Sequence, residues 1–126
     1  MFRVHGIDHV GLAVKNVQKS VQWYQEMFGL ERLYENIWGD FPAVVGLGET
    51  SVAFFPTNDP DVPLPAGLPI HHLAFHVDRV NFKAAQETLR QKGIEFEFQD
   101  HKIVHSIYFY DPDGYLLELT TYELSD

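Results

Sequence analysis

Apolar and polar residues alternate along several short stretches of this chain, and twice the alternation gives way to helical spacing. Residues 4–14 (VHGIDHVGLAV) predict a strand, with His9 sharing a face with Ile7, Gly11 and Ala13. Val17, Val21, Tyr24, Met27 and Phe28 then recur at helical spacing, with Asn16 as N-cap and Gly29 just past the end. Residues 30–36, 43–47 and 51–55 predict three short strands, with Gly46, Gly48 and Glu49 around the last turn. Residues 56–69 hold five of the seven prolines, which neither a helix nor a central strand would tolerate, so they predict a linker.

The same order then returns. Residues 70–77 predict a strand, Asn81 caps a helix carrying Phe82, Ala85 and Leu89 that ends near Gly93, and residues 94–98, 104–110 and 115–122 predict three more strands. Laid over each other, I-D-H-V-G-L-A-V (7–14) and I-H-H-L-A-F-H-V (70–77) are offset by 63 residues, and His9 falls on His72. The chain therefore reads as an α+β protein made of two βαβββ modules. Module 1 spans about 4–55, the linker 56–69 and module 2 about 70–122, within a single domain of residues 1–126. Neither copy can bury its sheet face alone, so the two are expected to share a core.

Composition narrows the function. With 126 residues, 45% hydrophobic and 14% aromatic, the chain can bury a core. A formal charge of −9 argues against nucleic acid and anionic membranes as partners, since both call for basic patches. The absence of cysteine removes disulfides, thiolate zinc sites and a cysteine nucleophile, so any metal must rest on histidine and carboxylate. No apolar run approaches membrane-spanning length, and the N-terminal stretch has no signal-peptide core. A cytoplasmic protein acting on a small molecule is the expectation.

The chemistry concentrates at the C-terminal strand pair, Y-F-Y-D-P-D-G-Y-L-L-E (108–118), where Asp111-Pro112-Asp113-Gly114 marks a tight turn. Alternation places Leu116, Glu118 and Thr120 on one face, and Leu117, Leu119 and Thr121 on the other. A carboxylate buried in such a strand needs a partner. Glu118 with His9 and His72, two histidines at repeat-equivalent strand positions, forms the two-histidine, one-carboxylate set typical of non-haem iron(II) sites. Gly11, Ala13 and Ala74 lie on the same faces and leave room beside a metal. His76, four residues beyond His72, is a candidate acid/base group. His71 is expected to point away from His72 and pack on a helix. Tyr34, Trp38, Phe41 and Phe54 could wall a pocket.

The repeat, together with H-V-G-L-A-V, H-L-A-F-H-V and D-P-D-G-Y-L-L-E-L, resembles the vicinal oxygen chelate superfamily of glyoxalases, extradiol dioxygenases, fosfomycin-resistance proteins and bleomycin-resistance proteins. The resemblance covers roughly residues 4–122. It implies an open, mostly antiparallel barrel around a divalent metal held by His9, His72 and Glu118. A fourth ligand, frequent on the last strand of the first module, has no counterpart in S-V-A-F-F (51–55). That departure weighs against glyoxalase I and methylmalonyl-CoA epimerase.

The run from His101 through Ile107, Tyr108, Asp111, Pro112 and Gly114 to Glu118 resembles the extradiol signature, departing from it at Gln99. By that resemblance His101 and Tyr108 would orient and stabilise a bound catecholate. Ring-cleaving dioxygenation of a catechol-like substrate with iron(II) is thus the leading expectation, with zinc, manganese, nickel or cobalt as other metals. The alternatives are a glyoxalase-type lyase or isomerase, a fosfomycin-type thiol transferase, and a metal-free drug-binding resistance protein. Members of the superfamily are commonly dimers, so a homodimer is expected.

Overall fold

The computed structural model describes Arg3, residues 7–57 and residues 70–126; His5 and most of the proline-rich segment, 58–69, lie outside the described residues. The chain divides into two compact units, Met1–Ala66 and Gly67–Asp126.

Unit 1 runs β1 (His9–Val14), α1 (Val17–Phe28), β2 (Glu31–Leu33), α2 (Glu35–Trp38), β3 (Ala43–Leu47) and β4 (Thr50–Pro56). Its four strands form one open sheet in the order β1-β4-β3-β2, with β1 parallel to β4 and the other two pairs antiparallel. Helix α1 starts where expected, because the Asn16 side chain accepts from Lys19 N at 3.0 Å. It ends at Gly29, whose φ of 66° is readily reached only without a Cβ. The strand expected over residues 30–36 is shorter. Tyr34 turns to φ 62° and begins the short helix α2, whose turn is clamped by Arg32 donating to the carbonyls of Leu33 and Gly39, each at 3.1 Å. One face of the sheet packs under α1: Leu12, Val14, Val52 and Phe54 are buried, and Phe54 meets the Tyr24 ring at 4.9 Å. The other face carries His9, Gly11, Ser51, Ala53 and Phe55.

Unit 2 repeats the order with β5 (Leu73–His76), α3 (Arg79–Gln91), β6 (Glu97–Asp100), β7 (His105–Tyr110) and β8 (Leu116–Thr121), arranged β5-β8-β7-β6. Again one parallel pair, β5 with β8, accompanies two antiparallel pairs. Each unit is therefore the expected βαβββ module, and the α+β class holds. The cap of α3 is Asp78 rather than Asn81. The Asp78 carboxylate accepts from both Asn81 N at 2.9 Å and Asn81 Nδ2 at 2.8 Å, so the helix begins three residues earlier than the sequence suggested. The helix-side face buries Ile107, Phe109, Leu117, Leu119 and Thr121, with Phe82 and Leu89 buried on α3.

Candidate metal centre

The turn before β8 fixes the strand that carries Glu118. The Asp111 carboxylate, 5% exposed, accepts from Asp113 N at 2.8 Å and Tyr115 N at 2.9 Å. Gly114, at φ 92°, closes the turn. From this anchor β8 runs through the interior of its sheet, and alternation brings Glu118 to the face away from α3, 8% exposed. In register, Ala74 on β5, Glu118 on β8, Tyr108 on β7 and Glu97 on β6 form one row across that face.

His72, just before β5, reaches this row. Its Nε2 lies 3.2 Å from Glu118 Oε1. The carboxylate that lacked an evident partner in the sequence thus has one in its own unit. Two donors bound to one cation at about 2.0–2.2 Å with tetrahedral or octahedral angles sit roughly 3.0–3.5 Å apart, so the pair fits as two ligands of one ion. On its other side, His72 Nδ1 lies 2.9 Å from His71 Nδ1. His71 therefore does not pack on a helix as expected; it is exposed and hydrogen-bonded to its neighbour. On binding a cation, His72 would carry its proton on Nδ1, donated to His71, and offer the cation the Nε2 lone pair in place of the N–H that faces Glu118.

Tyr108 stands beside Glu118. Burial, then the Glu118 charge, hold its phenol above the ordinary tyrosine value, so it stays protonated further into the alkaline range. The Tyr108 hydroxyl lies 2.9 Å from His101 Nε2, which brings together two residues the sequence had linked only through a signature. Ser106 Oγ donates to Thr120 Oγ1 at 3.1 Å two positions along the same face. His76 also lies on β5 but pairs in register with Thr120 rather than Glu118, and its ring rests edge-on against Tyr122 at 5.7 Å. His105 faces the helix side, 3.1 Å from Arg79 and packed on Phe98.

In unit 1, His9 Nδ1 lies 2.8 Å from Asp8 Oδ2. A proton donated from Nδ1 to that carboxylate likewise leaves Nε2 as the free donor. Asp8 had no role in the sequence reading; a carboxylate next to a candidate ligand histidine was the available signal. His9 borders a hollow of about 300 Å³ together with Tyr34, Trp38, Val44, Ala53 and Phe55. The room expected above Gly11 is taken by Phe55, whose ring would lie 3.1 Å from a Cβ there. The repeat also locates the missing fourth ligand: Gly11 pairs with Ala53 as Ala74 pairs with Glu118, so Ala53, which has no donor, stands where the second module has its carboxylate. Within either unit, the described residues hold no group of three or more His, Asp or Glu placed to bind one metal ion.

Residues 6–119 match the family model of the Glyoxalase/Bleomycin resistance protein/Dioxygenase superfamily. The chain belongs to that superfamily. A metallothiol transferase FosB of Staphylococcus epidermidis is 29% identical over 98% of this chain and 88% of its own length. The glutathione transferase FosA of Serratia marcescens is 31% identical over 92% of this chain and 80% of its own. Among solved structures, a lactoylglutathione lyase from Agrobacterium tumefaciens superposes with a TM-score of 0.74 at 17% identity, covering 94% of both chains, a likeness of fold. The curated relatives of this superfamily member are therefore enzymes. None of the helices described is long and apolar enough to cross a membrane.

Proposed function

We propose that the chain is a divalent-metal-dependent enzyme whose ion is held by His9, His72 and Glu118, with the two units acting as modules of one functional domain, residues 1–126, in a homodimer. The observation that carries the reading is the 3.2 Å approach of His72 Nε2 to Glu118 Oε1 on the open face of unit 2. The substrate is a small molecule presenting two adjacent oxygens. A bound dication would supply Lewis acidity, lowering the pKa of those oxygens and stabilising charge on them.

The protein's own part follows from the row beside the pair. Glu118 contributes a fixed negative charge and His72 a neutral nitrogen, so part of the dication's charge stays available to the substrate. The Tyr108 phenol, kept protonated by burial and by Glu118, donates a hydrogen bond toward developing oxyanion charge. With its proton on Nε2, His101 donates to the Tyr108 oxygen at 2.9 Å and orients the phenol for that role. His76, on the same strand, is left as a secondary acid/base group.

The transferase relatives favour group transfer as the first reading. The His101–Tyr108 contact favours a second reading, extradiol ring cleavage with iron(II). Metal analysis of freshly purified wild type and Glu118→Ala separates them. Zinc, manganese, nickel or cobalt at about one per chain, lost in the variant, supports the first reading. Iron with oxygen uptake on catechol supports the second. Equal metal in both proteins sinks the ligand assignment, and no metal in either after reconstitution leaves the ligand-sequestering alternative.

A further inference from the structure

The hollow beside His9 has a chemistry of its own. Tyr34 and Trp38 pack with ring centroids 5.0 Å apart and planes tilted by 56°, and Phe55 meets Phe41 edge-on at 5.7 Å. Tyr34 and Trp38 are about half exposed, 49% and 48%, so two large rings flank the hollow uncovered within their own unit. Val44 and Ala53 complete an apolar lining, and the ionisable lining groups other than His9 and Tyr34 are the carboxylates Asp8 and Glu49. No arginine or lysine borders it among the described residues.

The rings are held there deliberately. Tyr34 adopts φ 62°, ψ 15°, a left-handed conformation that a bulky residue rarely takes. Arg32 pins the same turn at both ends through the Leu33 and Gly39 carbonyls. That conformation starts α2 and brings Trp38 back over the Tyr34 ring. A strained residue that builds an uncovered aromatic pair serves a ligand better than it serves the core. The size agrees: roughly 150 Å³ suffices for benzene, and the hollow offers about 300 Å³.

We propose that this hollow is a subsite for a flat aromatic group, uncharged or cationic, and that in the metal-free protein it rejects phosphonates and other anions. The inference rests on the metal-enzyme reading only for its orientation: His9 borders the hollow and is a proposed ligand, so the two adjacent oxygens of the chelating head would face His9. In the metal-free protein an anion would meet two carboxylates and, among the described residues, no lysine or arginine, whereas a ring finds aromatic partners and an acidic rim that tolerates positive charge.

Two arms keep this subsite and the metal reading separately testable. The first uses Trp23→Phe protein, in which Trp38 is the remaining tryptophan. Catechol is titrated against the metal-free form and against the same protein carrying Glu118→Ala. Saturable quenching of Trp38 in both, weakened about tenfold by Tyr34→Gly, is the expected result. Tyr34→Gly removes the ring while relieving the left-handed backbone, so a folding failure is not built into the test. The second arm uses zinc-loaded protein with acetohydroxamate and benzohydroxamate, which share one chelating head. Benzohydroxamate should bind about tenfold tighter, and Tyr34→Gly should bring the ratio near one. No quenching in the first arm, a ratio near one in wild type, or propylphosphonate displacing catechol from the metal-free form with equal affinity overturns the subsite. Should the protein bind no zinc, the catechol titration alone decides it: saturable, Tyr34-dependent quenching supports the subsite, and its absence overturns it.

Discussion

Glu118→Leu is expected to change the sign of its effect on stability with the metal content of the buffer. Glu118 is 8% exposed in an interior strand, and its close ionisable neighbours are His72, whose side chain remains 38% exposed, and the Tyr108 phenol. Burying a carboxylate costs free energy that one partly solvated histidine and one phenol do not return in full. Leucine removes that cost and adds apolar burial, while His72 Nε2 regains water through its exposed edge. Replacing such a pair with apolar groups is commonly neutral or stabilising, so a gain of about 1 kcal/mol is expected in EDTA. In a chain of this length that corresponds to roughly 3–5 °C in Tm. A metal at a hundred times its Kd should stabilise wild type by about 2.7 kcal/mol and leave the variant unchanged, so the order of the two reverses. Urea melts and thermal scans of both proteins, with EDTA and with saturating zinc, give all four values. If the leucine variant is less stable than wild type in EDTA by more than about 1 kcal/mol, Glu118 holds the sheet through His72, and the argument that it is retained for a ligand is wrong.

Three further outcomes follow from particular contacts. His71→Ala should lower zinc affinity about tenfold by freeing the His72 tautomer, with His71→Asn restoring part of it and metal-free Tm unchanged, read by competition with a chromogenic chelator. Gly46→Ala should lose about 1–3 kcal/mol in urea melts, since its Cβ would stand 2.4 Å from the Thr50 carbonyl oxygen and 2.9 Å from Ser51 Cβ; an unchanged midpoint would mean the β3–β4 turn relaxes freely. Asp78 is held below the ordinary carboxylate value by the Asn81 backbone N–H and side chain. Its stabilisation is present above about pH 4 and lost as pH falls below it, so Asp78→Asn, which still caps α3, should lose less stability than wild type between about pH 4.5 and 2.5.

The repeat was legible because the units are built the same way: period-two runs, an Asx-capped amphipathic helix and a Gly at its end give the same order twice. Faces were legible for the same reason, and Glu118 fell on the open side of unit 2 by alternation alone. Register was not. Nothing in the pattern says that β1 runs parallel to β4, or that Tyr108, Glu118 and Ala74 stand in one row, because register is set by pairing partners distant in sequence. Single side chains were harder still. His71 follows alternation to the wrong conclusion because it precedes the strand proper, where period two no longer binds, and its ring turns to His72 instead. Tyr34 sits in a run that reads as strand, yet two carbonyls held by Arg32 carry it into a left-handed turn. Both departures occur beside residues of the proposed sites, His72 and the hollow at His9. A chain that follows its local preferences through its cores and breaks them at His71 and Tyr34 has placed its exceptions around the two faces where a ligand would bind.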